Sequence, residues 1–429
     1  MPPLQTLAEA LRDAPGAPVC VGFSGGLDST VLLHALASDA DVRERGLRAL
    51  HVHHGLHSDA DAWAAHCESV CGALGVPLKV VRVNVQRGSG PEAAARAARH
   101  AAYADALAEG EAMALAHHRD DQAETFLLRA LRGSGPEGLA AMPARRACGR
   151  GTLWRPLLSV PRVALLDHAR THGLHWIEDP ANVDTALDRN FLRARVLPLL
   201  RERWPEADAS LARSAALSTE AAALLVPGDV GGLALASTDD PSVLSRSALA
   251  LMPRERRARV LRRWVASLGL PALPAGGVAR IESDLLPAPA DAGACYAWQG
   301  AEVRAWRDGL HAGRPVAPLP SDWATRWDGR AALPLPGGGT LRLDPVGAFD
   351  ASLAVRARVG GERIALPGRT HSHALKHVFQ DLGVPPWLRA AMPLLVDGDG
   401  AVLAAGDRIR SGAFDAWLRA RGAQLAWSP

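Results

Sequence analysis

One stretch of this chain, VCVGFSGGLDSTVLL from Val19 to Leu33, narrows the choice of fold more than any other. An apolar run, a glycine turn and a helix start follow one another without a break. Two adjacent glycines reach backbone conformations closed to other residues and let an anion come close, while the amides at a helix N-terminus favour negative charge. The turn Ser24-Gly25-Gly26-Leu27-Asp28-Ser29 is therefore built for a phosphate. It contains no lysine, so it is not a Walker-type loop. Backbone amides and the hydroxyls of Ser24, Ser29 and Thr30 must hold the phosphate, with a metal near Asp28.

Regular alternation surrounds the turn. Apolar runs at Val19–Phe23, Leu47–Val52, Leu78–Val85 and Ala112–Ala116 are separated by segments of helical periodicity at 29–36, 60–74 and 91–108. This pattern predicts an α/β fold whose parallel sheet carries helices on both faces and binds ligands at the carboxyl ends of its strands. Three of the four strands end in reactive residues: the glycine turn, then His53-His54-Gly55, then His117-His118. Beyond them, a helix over 161–172 and a longer one from Arg189 to a break near Pro227-Gly228 complete a first domain of residues 1–225. A mainly helical domain is expected over 226–325. A small α+β domain, opening with a hairpin around Pro336–Gly339, fills 326–429.

The chain has 429 residues, 48% of them hydrophobic and 22% charged, enough for two or three globular domains. With no uninterrupted apolar run long enough for a bilayer and an acidic N-terminal segment, the expected location is the cytoplasm, with no membrane partner. Cys20, Cys67, Cys71, Cys148 and Cys295 form neither a C-x-x-C pair nor a zinc-spaced set of four. The net charge of +3 is carried almost wholly by arginine, lysine occurring only at Lys79 and Lys376. A GC-rich genome explains that bias without reference to function.

After the fourth strand, His118-Arg119-Asp120-Asp121-Gln122-Ala123-Glu124-Thr125 should open a helix. Asp121, Glu124 and Thr125 share one face there, where paired carboxylates can hold a magnesium ion or an ammonium group.

The SGGxDS string after an apolar strand resembles the PP-loop of the N-type ATP pyrophosphatases, which cleave ATP between its α and β phosphates. Within that superfamily, the HVHHGL string at 51–56, the 118–125 string, Arg132-Gly133-Ser134-Gly135, Arg155-Pro156-Leu157-Leu158, Trp176–Asp179 with Asn182, Arg189–Arg193 and Gly383–Arg389 resemble the tRNA(Ile)-lysidine synthetase family, along nearly the whole chain. That resemblance implies an ATP-dependent ligase. It would adenylate the first anticodon cytidine of a minor isoleucine tRNA with a CAU anticodon and then let L-lysine displace AMP, switching the tRNA from methionine to isoleucine.

Carried over by position, the resemblance implies that Ser24, Gly25, Gly26, Leu27, Asp28 and Ser29 bind ATP, with Asp28 and Asp121 near Mg2+. Asp28, Asp121 and Glu124 would be catalytic, the last two meeting the lysine ammonium or the metal. Arg96, Arg99, Arg132, Arg189, Arg193, Arg369, Lys376 and Arg389 would contact tRNA. His100 departs from the family, which has tyrosine after the arginine of its A-R-x-x-R-Y string.

The arginines of 254–263 fit either a tRNA backbone or a solvated helix face. Trp387 suits base stacking or a small core, and His371, His373 and His377 lack a cysteine or acid to complete a metal set. A PP-loop tRNA thiolase would need reactive cysteines or an iron–sulfur cluster, and a small-molecule ligase of the superfamily would not need two basic appended domains. Oligomeric state is open, a homodimer being one candidate.

Overall fold

The computed structural model describes residues 3–84, 91–180, 184–290, 292–345, 347–369 and 371–428. The chain forms two compact units, Met1–Val226 and Pro227–Pro429.

In the first unit β1 (Val19–Gly22), β2 (Leu47–His53), β3 (Leu78–Arg82), β4 (Ala112–Ala114), β5 (Arg145–Cys148) and β6 (Gly151–Trp154) make one sheet of order β3-β2-β1-β4-β6-β5. All neighbours run parallel except the β5/β6 edge hairpin. Burial on both faces explains why these strands read as continuous apolar runs. Val19, Val21, Ala114 and Trp154 join one core cluster with the helices Leu27–Ala37 and Arg162–Thr171. The alternating residues Cys20, Met113 and Leu153 join a second cluster with Tyr103 and Leu107 of the opposite layer. The strand order reverses between β1 and β4, so the glycine turn and the His117-His118 turn leave the sheet side by side, where open α/β sheets bind ligands.

The long helix expected from Arg189 is in pieces. Asp188–Phe191 passes into a π-helical turn, Leu192–Val196, then Leu197–Arg203, and the chain breaks at Trp204-Pro205. The next helix, Ala207–Ala236, runs straight through Pro227, where a break was expected. Proline removes one helical hydrogen bond. Around it, the helix Arg254–Ser267 supports the backbone: Arg256 donates to the Gly228 carbonyl and Arg259 grips Asp229 from 2.7 Å. By length and composition Ala207–Ala236 also suffices to cross a membrane, with mean hydropathy 1.2 in its apolar window, which the reading of interrupted apolar runs did not anticipate.

In the second unit, the helices Arg246–Leu251, Arg254–Ser267 and Ala275–Arg280 enclose Trp264. They pack on a four-stranded antiparallel sheet of order β7-β10-β9-β8, formed by β7 (Val243–Ser245), β8 (Cys295–Trp298), β9 (Ala301–Trp306) and β10 (Gly309–Gly313). Residues from 319 onward form two further core clusters on antiparallel sheets, with three short helices. The hairpin Leu333–Pro334/Thr340–Asp344 closes around Pro336–Gly339 and then pairs with the C-terminal strand Gln424–Ser428.

Candidate active site

The glycine turn is internally braced. Ser29 Oγ donates to the Gly26 carbonyl at 3.0 Å, lies 3.0 Å from Ser24 Oγ and accepts the Ser24 amide, while Thr30 Oγ1 also donates to Gly26. Gly25 has φ +83°, and a β-carbon there would come within 2.6 Å of Ile177 Cδ1. Only glycine meets both demands. Ile177 fixes the turn from outside, its amide donating to the Gly25 carbonyl at 2.9 Å. This gives the 176–179 string a structural role. Asn182 of the same string lies outside the described residues.

His118 joins this turn to the carboxylates. It caps the helix Arg119–Leu131 in a capping box: its Nδ1 accepts the Asp121 amide, and Asp121 Oδ2 accepts the His118 amide at 3.0 Å. Its Nε2 lies 3.6 Å from Asp28 and 3.4 Å from Asp121. Burial alone would lower the basicity of this imidazole, but Asp28, Asp121 and Asp120 around it raise it above the usual histidine value. At neighbouring His117 burial outweighs the support of Asp121 and, with Arg155, Arg189 and Arg96, takes the imidazole down to about 3.

Asp121 and Glu124 do share one helix face, and two arginines hold them. Arg189 reaches Glu124 at 2.6 Å and Asp121 at 2.7 Å. Arg193 reaches Glu124 at 2.6 and 3.0 Å and Asp121 at 3.1 Å. The two pairs thus form a four-charge lattice in which the carboxylates are nearly fully buried. Burial raises the Asp121 carboxyl, yet His118, Arg189 and His117 outweigh it and bring it down to about 2. At neutral pH such a carboxylate is a fixed anion and a poor proton acceptor. The π-helical turn at Leu192–Val196 directly follows Arg189 and carries Arg193.

Magnesium prefers six oxygen ligands and commonly takes one or two carboxylates, the rest coming from phosphates and water. Asp28 fits that part: its Oδ1 is buried, makes no hydrogen bond among the described residues and lies 3.8 Å from Arg162 Nε. Both oxygens of Asp121 are already engaged, Oδ1 by Arg189 and Arg193 and Oδ2 by the His118 amide. Among the described residues no three histidine, cysteine or acidic side chains are arranged to hold a metal on their own.

The other arginines predicted to contact tRNA fall into separate groups. Arg96 and Arg99 are exposed on the helix Pro91–Ala106, and Arg99 donates to His54 at 3.3 Å. With Arg146 and Arg155 they set positive charge around His54 and His100. Burial, then Arg99, takes His54 to about 4; burial, then Arg146 and Arg96, takes His100 to about 4. His100, the departure from tyrosine, accepts from Arg146 at 3.2 Å. Arg132 is exposed and pairs with Asp188. Arg369 and Lys376 are exposed in the second unit, and Arg389 is half-buried there. Of the 254–263 arginines, Arg254 and Arg257 hold Glu282 and Arg259 holds Asp229, while Arg262 and Arg263 are exposed.

Sequence reasoning missed Arg162, which faces Asp28, and Arg201, which bridges Asp120 and Asp208. Arg162 opens the helix after β6, a position that sequence alone marks only as a helix start.

Comparison with known proteins agrees with this layout. Residues 4–200 match the family model of a PP-loop domain, residues 244–311 that of the TilS substrate binding domain and residues 353–427 that of the TilS substrate C-terminal domain. A tRNA(Ile)-lysidine synthase of Xanthomonas axonopodis pv. citri is 56% identical over 99% of this chain and 97% of its own length. The protein of the same name from Xylella fastidiosa strain 9a5c is 53% identical over 96% and 95%, and that from Coxiella burnetii 38% over 95% and 92%.

Proposed function

The chain belongs to the tRNA(Ile)-lysidine synthase family, and from that premise we propose that its first unit adenylates an anticodon cytidine with ATP and exchanges AMP for L-lysine beside the Asp121–Glu124 pair. The overall reaction forms lysidine on tRNA(Ile) and releases AMP and pyrophosphate. The observation that carries the residue assignment is the position of His118, whose single Nε2 lies between Asp28 of the phosphate turn and Asp121 of the carboxylate pair. Triphosphate and amine sites are thereby adjacent.

The chemistry follows from poor leaving-group ability. The cytidine C2 oxygen cannot depart as it stands, so it attacks the α-phosphate of ATP, and pyrophosphate leaves. The amides and hydroxyls of Ser24–Ser29 bind the phosphates, with Ser29 and Thr30 locking the turn before substrate arrives. Magnesium, held by Asp28, would neutralise charge on the phosphates and the departing pyrophosphate. A lysine amine then attacks C2, AMP leaves with the oxygen, and the attacking nitrogen loses its proton. Asp121, a carboxylate down to about 2, supports this step as a fixed charge that orients the lysine and not as the proton acceptor.

Arg189 and Arg193 occupy the same carboxylates, so either RNA phosphates draw them off when tRNA binds or the incoming ammonium shares the lattice. Three of the four cysteines in the first unit are buried and ill suited to thiolate chemistry. Burial pushes the Cys20 and Cys67 thiols up to about 12 and Cys71 to about 11. That observation disfavours the thiolase alternative.

The same proposal places catalysis in residues 1–225 and tRNA contacts in 226–325 and 326–429, in a cytoplasmic protein; sedimentation decides between monomer and homodimer. Incubating the protein with α-labelled ATP, L-lysine and a tRNA(Ile) transcript bearing the CAU anticodon tests the reading. AMP and a lysidine nucleoside are expected. AMP release that is indifferent to lysine and tRNA would refute it.

A further inference from the structure

In the second unit, Arg307 and Arg389 make no carboxylate contact among the described residues, and both converge on one tryptophan. Arg307 lies at the tip of the β9/β10 hairpin, its guanidinium carbon 4.6 Å from the Trp306 ring centre. Arg389, from the short helix Pro386–Ala391, approaches the same ring at 5.9 Å. Their side-chain hydrogen bonds go to backbone carbonyls: Arg307 to Gln380 at 2.6 Å, Arg389 to Val384 at 2.6 Å. Nearby Arg304 is paired with Glu302, and Arg358 with Glu362. Burial, then Arg307 and Arg358, makes Arg389 a weaker base than usual, as expected of a cation crowded by like charges.

Aromatic rings frame the two arginines. Trp387 packs edge-on against Trp306 at 6.5 Å and His311 at 5.3 Å, and Arg304 lies 5.2 Å over its ring. This assigns Trp387 to the seam between the hairpin and the last core. The hairpin tip is anchored by Asp308, which accepts from Ser245 Oγ, Ser247 Oγ and the Ser247 amide. Arg307 itself has φ +52°. The first position of a two-residue hairpin turn favours glycine or asparagine when φ is positive, and an arginine stands there.

We infer that the seam formed by Arg307 and Arg389 around Trp306 is an RNA phosphate site, assembled only when hairpin 301–313 and helix 386–391 pack together. Each guanidinium keeps donors beyond its carbonyl contact, and a planar fork suits phosphate oxygens. An RNA strand also brings the anion that these two like charges lack. The site deepens the reading that the second unit binds tRNA and rests on it.

The test is tRNA affinity of the full chain across a salt series, for wild type, Arg307→Gln, Arg389→Gln and the double variant. Each single change should weaken binding several-fold at low salt and flatten the slope of log affinity against log salt by about 0.7–0.9, and the double variant by nearly twice that. Arg307→Lys and Arg389→Lys should restore most of the slope. Arg307→Gly separates contact from folding: glycine relieves the positive φ, so unfolding temperature should hold or rise while tRNA affinity still falls. Wild-type slopes in the glutamine variants, or affinity that falls only together with unfolding temperature, would overturn the site and leave lysidine formation untouched. Absent lysidine formation in a wild type of normal salt slope would instead sink the functional reading and leave this site standing.

Discussion

Glu124→Gln offers the sharpest test of the four-charge lattice, because glutamine keeps the shape and removes only the charge. Glu124 is fully buried and accepts three short hydrogen bonds from Arg189 and Arg193. Glutamine retains one accepting oxygen and turns an NH2 group toward a guanidinium. Removing one partner of a buried ion pair costs about 3–5 kcal/mol. Here the cost is smaller, since the two arginine side chains are 24% and 37% exposed and keep Asp121. About 2–3 kcal/mol is the reasonable range. At about 2–4 °C per kcal/mol for a unit of this size, the transition of the first unit should fall by about 4–12 °C in calorimetry. Combining Glu124→Gln with Arg193→Gln removes one orphaned cation as well. The double variant should be more stable than the two losses added together, by about 1 kcal/mol or more. Strict additivity, or an unchanged transition in Glu124→Gln, would mean that these charges do not meet as described.

Asp28→Asn should keep the fold, since its Oδ1 makes no hydrogen bond among the described residues, yet slow tRNA-dependent pyrophosphate release about a hundredfold or more; near-normal release would remove Asp28 from the phosphate chemistry. Gly25→Ala adds a β-carbon 2.6 Å from Ile177 at φ +83°, so ATP affinity should drop at least about tenfold by calorimetric titration, and wild-type affinity would refute the braced turn. The pH response has a definite sign. Burial and neighbouring cations hold His54, His100 and His168 down to about 4 and His117 to about 3, so these groups bind protons more readily unfolded than folded. Their contribution to stability is complete above about pH 6.5 and declines as pH falls through 4. Urea midpoints between pH 7.5 and 4 should fall accordingly, less steeply in His168→Asn, and a flat profile would contradict the assigned burial.

What the sequence revealed and what it concealed divide along sequence distance. The glycine turn, the strand before it and the spacing of Asp121 and Glu124 are local features, written within one helical turn or one strand, and the structure has them at those positions. The arginines that hold the carboxylates are 65 to 72 residues away. Their motif pointed to phosphate, and only the tertiary fold directs their guanidiniums onto acids. The β5/β6 hairpin was hidden because an edge strand such as Arg145–Cys148 is exposed and polar, lacking the apolar run that marks a central strand. Pro227 misled for the opposite reason: its local penalty is real, but the helix Arg254–Ser267 supports the backbone beside it. Arg307 belongs to a further class. A hairpin turn without glycine or asparagine at its positive-φ residue breaks a local rule, and β9 and β10 went unread partly on that account. Local and global preferences usually agree in a natural sequence, yet Gln299 breaks the same rule in the neighbouring β8/β9 hairpin. At Arg307 the contacts in hand are an indole ring and a backbone carbonyl, which leave guanidinium donors for the oxygens of an RNA phosphate.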